Sequence, residues 1–189
     1  VLVGALGMSG LFAYISAAPF VLQGRHGLDQ QGFALVFGAG AIALIGATQF
    51  NVVLLRRFSP QRIVVWALAA ATLAGGVFVA LSVTHTGGLL GFVLPAWAVL
   101  AMLGFVLPNA PAVALSRHPD AAGTAAALLG AAQFGIGAVI APAVGVLGND
   151  EIALSVVMTA GVGIALLALV SAGVPASDGA AAAEVAEPA

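Results

Sequence analysis

The sequence predicts an all-α integral membrane protein, folded as a bundle of six transmembrane helices. Only 6% of its 189 residues are charged, whereas about a quarter are charged in a typical soluble domain. No charged residue lies in five long apolar stretches, which are 1–24, 32–55, 63–116, 121–149 and 152–177. Because a charge buried in hydrocarbon costs at least about 2.5 kcal/mol, segments that lie in lipid lack charges. We therefore expect these stretches to lie in a bilayer.

The length of each stretch sets the number of spans. A helix needs about 20 residues to cross about 30 Å of hydrocarbon. Four stretches fit one span each, but 63–116 would reach about 80 Å as one helix and must turn back. The polar, glycine-rich segment 84–88 is the predicted turn. The six predicted helices cover approximately 1–22, 33–55, 63–83, 88–108, 123–147 and 152–173.

The two ends of the chain differ in character. The first residue is Val1, which already lies inside an apolar stretch, so we expect the chain to be the later part of a longer protein. Residues 174–189 are rich in alanine and include two prolines and three acidic residues, which predicts a disordered tail. The chain contains no cysteine, and we expect neither a disulfide nor a metal site.

Basic residues predict the orientation of the spans. Arg56, Arg57 and Arg62 lie between the second and third predicted helices, and Arg117 lies between the fourth and fifth. Only Arg25 lies on the opposite side. Because short arginine-rich loops stay in the cytoplasm, we expect both chain ends to be cytoplasmic. The chain is thus predicted to be a multi-pass protein of the cell membrane.

Small residues are arranged in stripes on the fifth predicted helix. Side chains four positions apart share one helix face, and small residues there let a neighbouring helix approach closely. Whether this surface slides or packs statically stays open. Pro142 in the same helix is expected to produce a kink. One stripe comprises Gly123, Ala127, Ala131 and Gly135, and the adjacent stripe comprises Gly137, Ala141 and Gly145.

A weak internal repeat relates the two halves of the chain. Asp29 precedes the second predicted helix, and Asp120 precedes the fifth; an acidic residue at this position can cap a helix start. Pro19 and Pro108 are predicted to close the first and fourth helices. Since those two helices run in opposite directions, the pattern predicts a 3+3 inverted repeat.

Uncharged polar side chains inside the spans are the candidates for a substrate cavity, because such cavities are apolar with a few polar groups. The candidates are Tyr14, Ser16, Gln49 and Gln133. An interhelical hydrogen bond is an equal alternative for Gln133. Tyr14 could instead be an interfacial ring, and Gln49 could bond backbone at a helix end. Trp97 is interpreted as a packing residue.

Several sequence blocks carry a family resemblance. They are Phe12-Ala-Tyr-Ile-Ser-Ala-Ala-Pro-Phe20, the segment 51–62, Leu107-Pro-Asn-Ala110 with 118–124, and Leu128-Leu-Gly-Ala-Ala-Gln-Phe134. In this order they resemble the C-terminal six helices of the Bcr/CflA drug-efflux branch of the major facilitator superfamily. Arg56, Arg57 and Arg62 resemble a second copy of the superfamily's cytoplasmic loop motif without its acidic residue. They could form a latch to the other half, or they could only fix topology.

The resemblance implies a twelve-helix transporter of two halves, of which this chain is the second. It implies proton-driven export of small drug-like molecules across a bacterial inner membrane, and hence antibiotic resistance. The expected partners are the bilayer, the missing N-terminal half and the small-molecule substrate. No cofactor is expected besides the proton gradient. Because no carboxylate or histidine lies within a predicted span, we expect the coupling carboxylate in the missing half.

Two alternatives stay open. The first is an uptake or metabolite transporter, since one fold hosts many functions, and the second is a membrane scaffold that transports nothing. An enzyme is not expected, because no catalytic constellation or phosphate loop is present. Five basic residues and a net charge of −2 argue against nucleic-acid binding.

Overall fold

The computed structural model describes residues 2–116 and 122–171. Within them lie six helices, each long and apolar enough to cross a membrane. The predicted all-helical membrane fold is confirmed, while the predicted tail 174–189 and Asp120 lie outside the described residues. The helices are α1 (Leu2–Pro19, continued by a π-helical turn over Phe20–Arg25), α2 (Gln30–Leu54), α3 (Pro60–Thr84), α4 (Gly88–Ser116), α5 (Ala122–Val146) and α6 (Glu151–Ser171).

Local chemistry explains where the helices begin and end. The Asp29 carboxylate accepts a hydrogen bond from the Gly32 amide at 2.8 Å, so α2 begins earlier than the predicted residue 33. Asp150 caps α6 in the same way through the Ala153 amide, at 2.7 Å. Pro60 occupies the first turn of α3, where its missing N–H costs nothing. His85 ends α3 in the left-handed region, with a φ of 52°.

Prolines do not end helices here, which corrects one predicted boundary. Pro19 is followed by the π-helical turn to Arg25, and Pro108 lies inside α4, which continues to Ser116. The predicted end of the fourth helix at 108 was therefore wrong, while the predicted end of the first helix at 22 falls within the π-helical turn. A proline leaves the carbonyl four residues earlier without its helical partner, and neighbouring helices in a bundle can supply a replacement. The Thr48 hydroxyl of α2 lies 3.0 Å from the Gly104 carbonyl that Pro108 leaves free, and also 3.0 Å from the Leu44 carbonyl of its own helix, so the two carbonyls share its one hydrogen.

The helix contacts follow the predicted inverted repeat. Helix α1 packs mainly on α5 and α6, whereas α4 packs mainly on α2 and α3; α1 also meets α4, and α3 meets α6. Exchanging α1 with α4, α2 with α5, and α3 with α6 reproduces the same set of main contacts. Short connections over 26–29, 55–59 and 85–87 make successive helices antiparallel, so α1 and α4 run in opposite directions, as an inverted repeat requires.

Burial separates the helices into two groups. The centre of the bundle is formed by α1 and α4, where Ala13, Ala17, Val99 and Leu103 are fully buried. In contrast, α2 and α5 turn large apolar side chains outward, and these are exposed in this chain. They include Leu35, Ile42, Phe50, Leu128, Phe134 and Val139. Such faces suit contact with lipid or with another apolar helix surface.

Candidate functional site

An apolar cavity of about 170 Å³ lies between α1, α2 and α4. One of the four predicted cavity residues, Tyr14, lines it, and the rest of the lining is apolar. The Tyr14 ring stacks on Phe37 of α2, with ring centroids 5.3 Å apart and planes 14° from parallel. The residues that line the cavity are Leu11, Tyr14, Ile15, Phe37, Gly40, Ala41, Leu44, Ile45 and Leu100. The site therefore suits an uncharged, largely apolar molecule or part of one.

The polar end of Tyr14 lies beside a second donor. A Cβ on Gly40 would lie 3.0 Å from both the Tyr14 hydroxyl and the Trp97 indole nitrogen, so this glycine lets the two groups approach α2. Neither atom has a well-formed hydrogen bond to a described residue. Tyrosine can donate and accept whereas indole only donates. Trp97 could donate to Tyr14, but the Tyr14 hydrogen would still lack an acceptor.

Ser16 and Gln49 do not share this cavity. Ser16 is half-buried on α1 and is absent from the described lining. Gln49 lies on the exposed face of α2, which points away from the other described helices. Gln49 is therefore not a cavity residue within this chain. The buried face of α2 carries Ala47 and Asn51 instead.

Gln133 lies in the α1–α5 interface. Its amide nitrogen is 3.2 Å from the point where a Cβ on Gly4 of α1 would lie, and Leu129 and Ala110 flank the same point. Gln133 is half-buried and does not line the Tyr14 cavity. The structure thus places it between helices, at a separate position from Tyr14.

The two predicted small-residue stripes of α5 have different surroundings. No described atom lies within 4 Å of where a Cβ on Gly123 or Gly135 would be, and Ala127 and Ala131 are exposed. This stripe does not pack against the rest of the described chain. Gly137 of the second stripe is buried under the Phe12 ring of α1. Pro142 and Gly145 are exposed, and the Ala141 side chain lies outside the described part.

A polar α2–α4 interface was not predicted. The Asn109 amide donates to the Asn51 side-chain oxygen at 2.7 Å and to the Phe105 carbonyl at 2.8 Å. Both asparagines are at most 3% exposed. Thr48 adds its bond to Gly104. The sequence analysis did not pair them, because nothing in the local pattern links two positions 58 residues apart.

The arginines of the predicted loop motif lie at this same end of the bundle. Arg56 and Arg57 are exposed in the turn that follows α2, and Arg62 is half-buried in the first turn of α3. Nearby, Phe58 and Trp66 form an edge-to-face pair with centroids 5.1 Å apart. The latch interpretation stays a prediction, because the residues that would complete it belong to the expected other half.

A charge cluster lies at the opposite end of the bundle; it comprises Arg25, His26, His85 and Glu151. Glu151, the first residue of α6, is 6% exposed. Its Oε1 lies 2.6 Å from His26 Nε2 and 3.4 Å from Arg25 Nε. Arg25 also contacts His85 Nδ1 at 2.8 Å. The sequence analysis counted these charges only for topology, and the distances along the chain concealed that they meet.

These features define a multi-pass membrane protein, with six long apolar helices and an apolar cavity in the part of the chain that the structure describes. Comparisons with known proteins agree with a membrane protein of this class. An MFS-type transporter of Bacillus subtilis, itself uncharacterised, is 28% identical over 153 residues, which is 79% of this chain and 37% of the relative. A chloramphenicol resistance protein of Pseudomonas aeruginosa is 29% identical over 144 residues, covering 76% and 33% respectively.

A bicyclomycin resistance protein homologue of Haemophilus influenzae is also 29% identical, over 147 residues, covering 76% of this chain and 36% of the relative. The chain spans about a third of the length of these relatives. No family model matches it, and no solved structure matches it significantly. The predicted resemblance is confirmed, since one relative is named as an MFS-type transporter and the other two are named for drug resistance.

Proposed function

We propose that this chain is the C-terminal six-helix half of a proton-coupled exporter of small drug-like molecules. The observation that carries the proposal is the likeness of about three quarters of the chain to two proteins named for resistance to chloramphenicol and bicyclomycin. The apolar cavity supports it, since an uncharged lining accepts uncharged, largely apolar compounds. The arginines after α2 support cytoplasmic chain ends in a bacterial inner membrane.

The proton-coupling group is proposed to lie outside this chain. Among the described residues, every charged or histidine side chain lies at a helix end or in a connection. Coupling to a proton gradient requires a group that titrates inside the membrane. An acidic residue in the spans of the other half would supply it, and its replacement by the matching amide should abolish proton-dependent transport while export of substrate down its own gradient persists.

Expression of the full-length gene in a drug-sensitive bacterium tests the proposal. We expect lower accumulation of chloramphenicol or bicyclomycin, and restoration of accumulation by a protonophore. The matched control is the empty vector in the same strain. Higher accumulation would instead indicate an uptake transporter, and unchanged accumulation across a broad panel of drugs and metabolites at normal membrane expression would favour a scaffold.

Tyr14→Phe tests the cavity within the same assay. The substitution removes a buried hydroxyl that lacks a described partner, so the protein should be no less stable. If substrates use this hydroxyl, compounds with a hydrogen-bond acceptor should lose export by up to about tenfold, because a neutral hydrogen bond contributes about 0.5–1.5 kcal/mol. Export of compounds without an acceptor should not change. If Tyr14→Phe exported both classes of compound as well as the wild type does, Tyr14 would contribute only packing.

A further inference from the structure

The charge cluster ties together three helix ends. Arg25 and His26 end the π-helical turn after α1, His85 lies in the turn between α3 and α4, and Glu151 begins α6. A small cavity of about 60 Å³ adjoins all four side chains. Because π-helical turns are rare and are often found at functional sites, the segment that the cluster holds is itself unusual.

The contact between Arg25 and His85 requires a neutral histidine. Arginine can only donate, and it stays protonated at any physiological pH. Its 2.8 Å contact with His85 Nδ1 therefore needs a lone pair on that nitrogen. Acid would protonate Nδ1, remove the acceptor and place two positive charges side by side. We call the Arg25–His85 contact one arm of the cluster, and we expect it to loosen as the pH falls.

The contact between His26 and Glu151 responds to acid in the opposite direction, because a neutral histidine can donate to the carboxylate only through the tautomer with its proton on Nε2, whereas a protonated one always can. Glu151 is an acceptor when ionised, and its Oε1 lies 2.6 Å from His26 Nε2, although the two groups are not aligned as a hydrogen bond. Protonation of His26 would turn this contact into an ion pair. Since Glu151 is nearly buried, water screens that attraction less than it would on an exposed surface. This arm is expected to tighten as the pH falls.

We propose that the charge cluster is a pH-sensitive clamp with two arms of opposite sign. Arg25 pairs with Glu151 at 3.4 Å and ties the end of α1 to α6 at either pH. In acid, His26 strengthens this tie and α1 is released from the α3–α4 turn; near neutrality, the Arg25–His85 arm is restored. Histidine is suited to such a role because it changes charge between about pH 5 and 8. The other charged groups at this end, Asp29 and Asp150, cap their own helices.

The clamp acts on the helix that carries the candidate cavity. Tyr14 lies on α1, and the buried residues Ala17, Ala18 and Val21 continue its packed face towards Arg25. A shift of the π-helical turn would therefore be transmitted along a closely packed helix. This inference does not depend on the transported substrate, because it rests only on the contacts within the cluster.

Cysteine labelling can measure the opening of the clamp. Ser82 is 3% exposed and lines the cavity beside the cluster, so Ser82→Cys should react with a maleimide only when the cluster opens. This chain has no cysteine of its own, and any in the rest of the full-length protein would be replaced. The rate is divided by that of exposed Gln23→Cys at the same pH, which corrects for the general pH dependence of the maleimide reaction.

Two variants isolate the arms between pH 5.5 and 8, with both sides of the membrane at the same pH. In His26→Gln only the Arg25–His85 arm responds, so the rate ratio should rise on acidification, by up to about fivefold for a contact of ordinary strength. In His85→Asn only the His26–Glu151 arm responds, so the ratio should fall. Asparagine is chosen because it tolerates the left-handed backbone at this position.

Opposite signs in the two variants would support the clamp. Equal signs, or two ratios that do not change with pH, would overturn it. Glu151→Gln, combined with His85→Asn, should abolish the remaining response, and a response that persisted would also count against the proposal. If His26→Gln does not reach the membrane, His26→Asn makes the same test, because it too lacks a titrating ring.

Discussion

The two interfaces that the inverted repeat relates, α2–α4 and α1–α5, have equivalent positions but different chemistry. Helices α2 and α4 are joined by polar bonds: Thr48 to the Gly104 carbonyl, and Asn109 to Asn51. In the α1–α5 interface, the described contacts are those of packing. The Phe12 ring covers Gly137 and meets Phe134 edge-to-face, with centroids 6.0 Å apart.

The difference shows that the repeat preserves the arrangement of helices rather than the residues that hold them. Lipid is as apolar as leucine, so close packing and interhelical hydrogen bonds drive helix association inside a membrane. Either can join two helices provided that a small residue permits close approach. Gly104 serves this purpose in α4, and Gly137 does so in α5.

Glycine-to-alanine substitutions should give the largest contrast between the two interfaces. A Cβ on Gly104 would collide with the Leu44 carbonyl, which is rigid backbone, whereas one on Gly137 would collide with the Phe12 ring, which can move. We expect Gly104→Ala to lower the free energy of unfolding by about 1–3 kcal/mol, and Gly137→Ala to cost less. The measurement is denaturant unfolding of the full-length protein in detergent micelles.

Gly46→Ala is the matched control, because Gly46 lies on α2 with no described atom within 4 Å of its would-be Cβ. We expect it to be close to neutral. A cost for Gly137→Ala that equalled or exceeded that of Gly104→Ala would contradict the distinction between backbone and side-chain obstacles.

Thr48→Val tests whether the α2–α4 interface depends on the carbonyl that Pro108 leaves free. Valine keeps the shape of threonine but cannot donate, so the Gly104 carbonyl would lose its partner. We expect a loss of about 1 kcal/mol in unfolding free energy, within the range for a buried unsatisfied group. The control is Thr72→Val, since the Thr72 hydroxyl donates to the Leu68 carbonyl of its own helix, just as the Thr48 hydroxyl can donate to the Leu44 carbonyl.

The background Pro108→Ala sharpens this test. Alanine restores the N–H that can bond to the Gly104 carbonyl within α4. The cost of Thr48→Val should therefore shrink in that background. An undiminished cost would mean that Thr48 stabilises the interface by another route.

The Asn51–Asn109 pair should show a smaller coupling. Each single substitution to leucine leaves a buried amide without its partner, while the double substitution leaves none. A double-mutant cycle in detergent micelles should give a coupling of about 0.6 kcal/mol, the average for hydrogen bonds between helices in membranes. A coupling indistinguishable from zero would indicate that the Phe105 carbonyl alone satisfies Asn109.

Charge exclusion predicted the helices better than it predicted their contacts. The number and placement of the six spans followed from stretches that lack charge, and Asp29 marked the start of α2. The end of α4 was misplaced because Pro108 was expected to close the helix, as a proline does where nothing else satisfies the carbonyl that it leaves free. In the bundle, Thr48 of another helix satisfies the carbonyl that Pro108 leaves free.

The candidate site was predicted only in part, for a related reason. Tyr14 stands out as a rare polar residue within a span, and the structure places it on a cavity. Its neighbour Trp97 and the Asn51–Asn109 pair depend on which helices meet, and apolar periodicity cannot reveal this when every helix face is apolar. The charge cluster escaped notice because its members lie near three different helix ends.

Gln133→Ala should have the smallest effect on stability and separates the two interfaces by function. Gln133 lies against Gly4 in the α1–α5 interface, where packing predominates, so its loss should change the unfolding free energy by less than about 1 kcal/mol. If the side chain also serves the transport pathway, efflux by the full-length protein should fall at unchanged membrane expression. Gln31→Ala, at an exposed position in the first turn of α2, is the control and should leave efflux unchanged. Normal efflux in Gln133→Ala would show that the amide only fills space between α1 and α5, and the α1–α5 interface would then be purely one of packing.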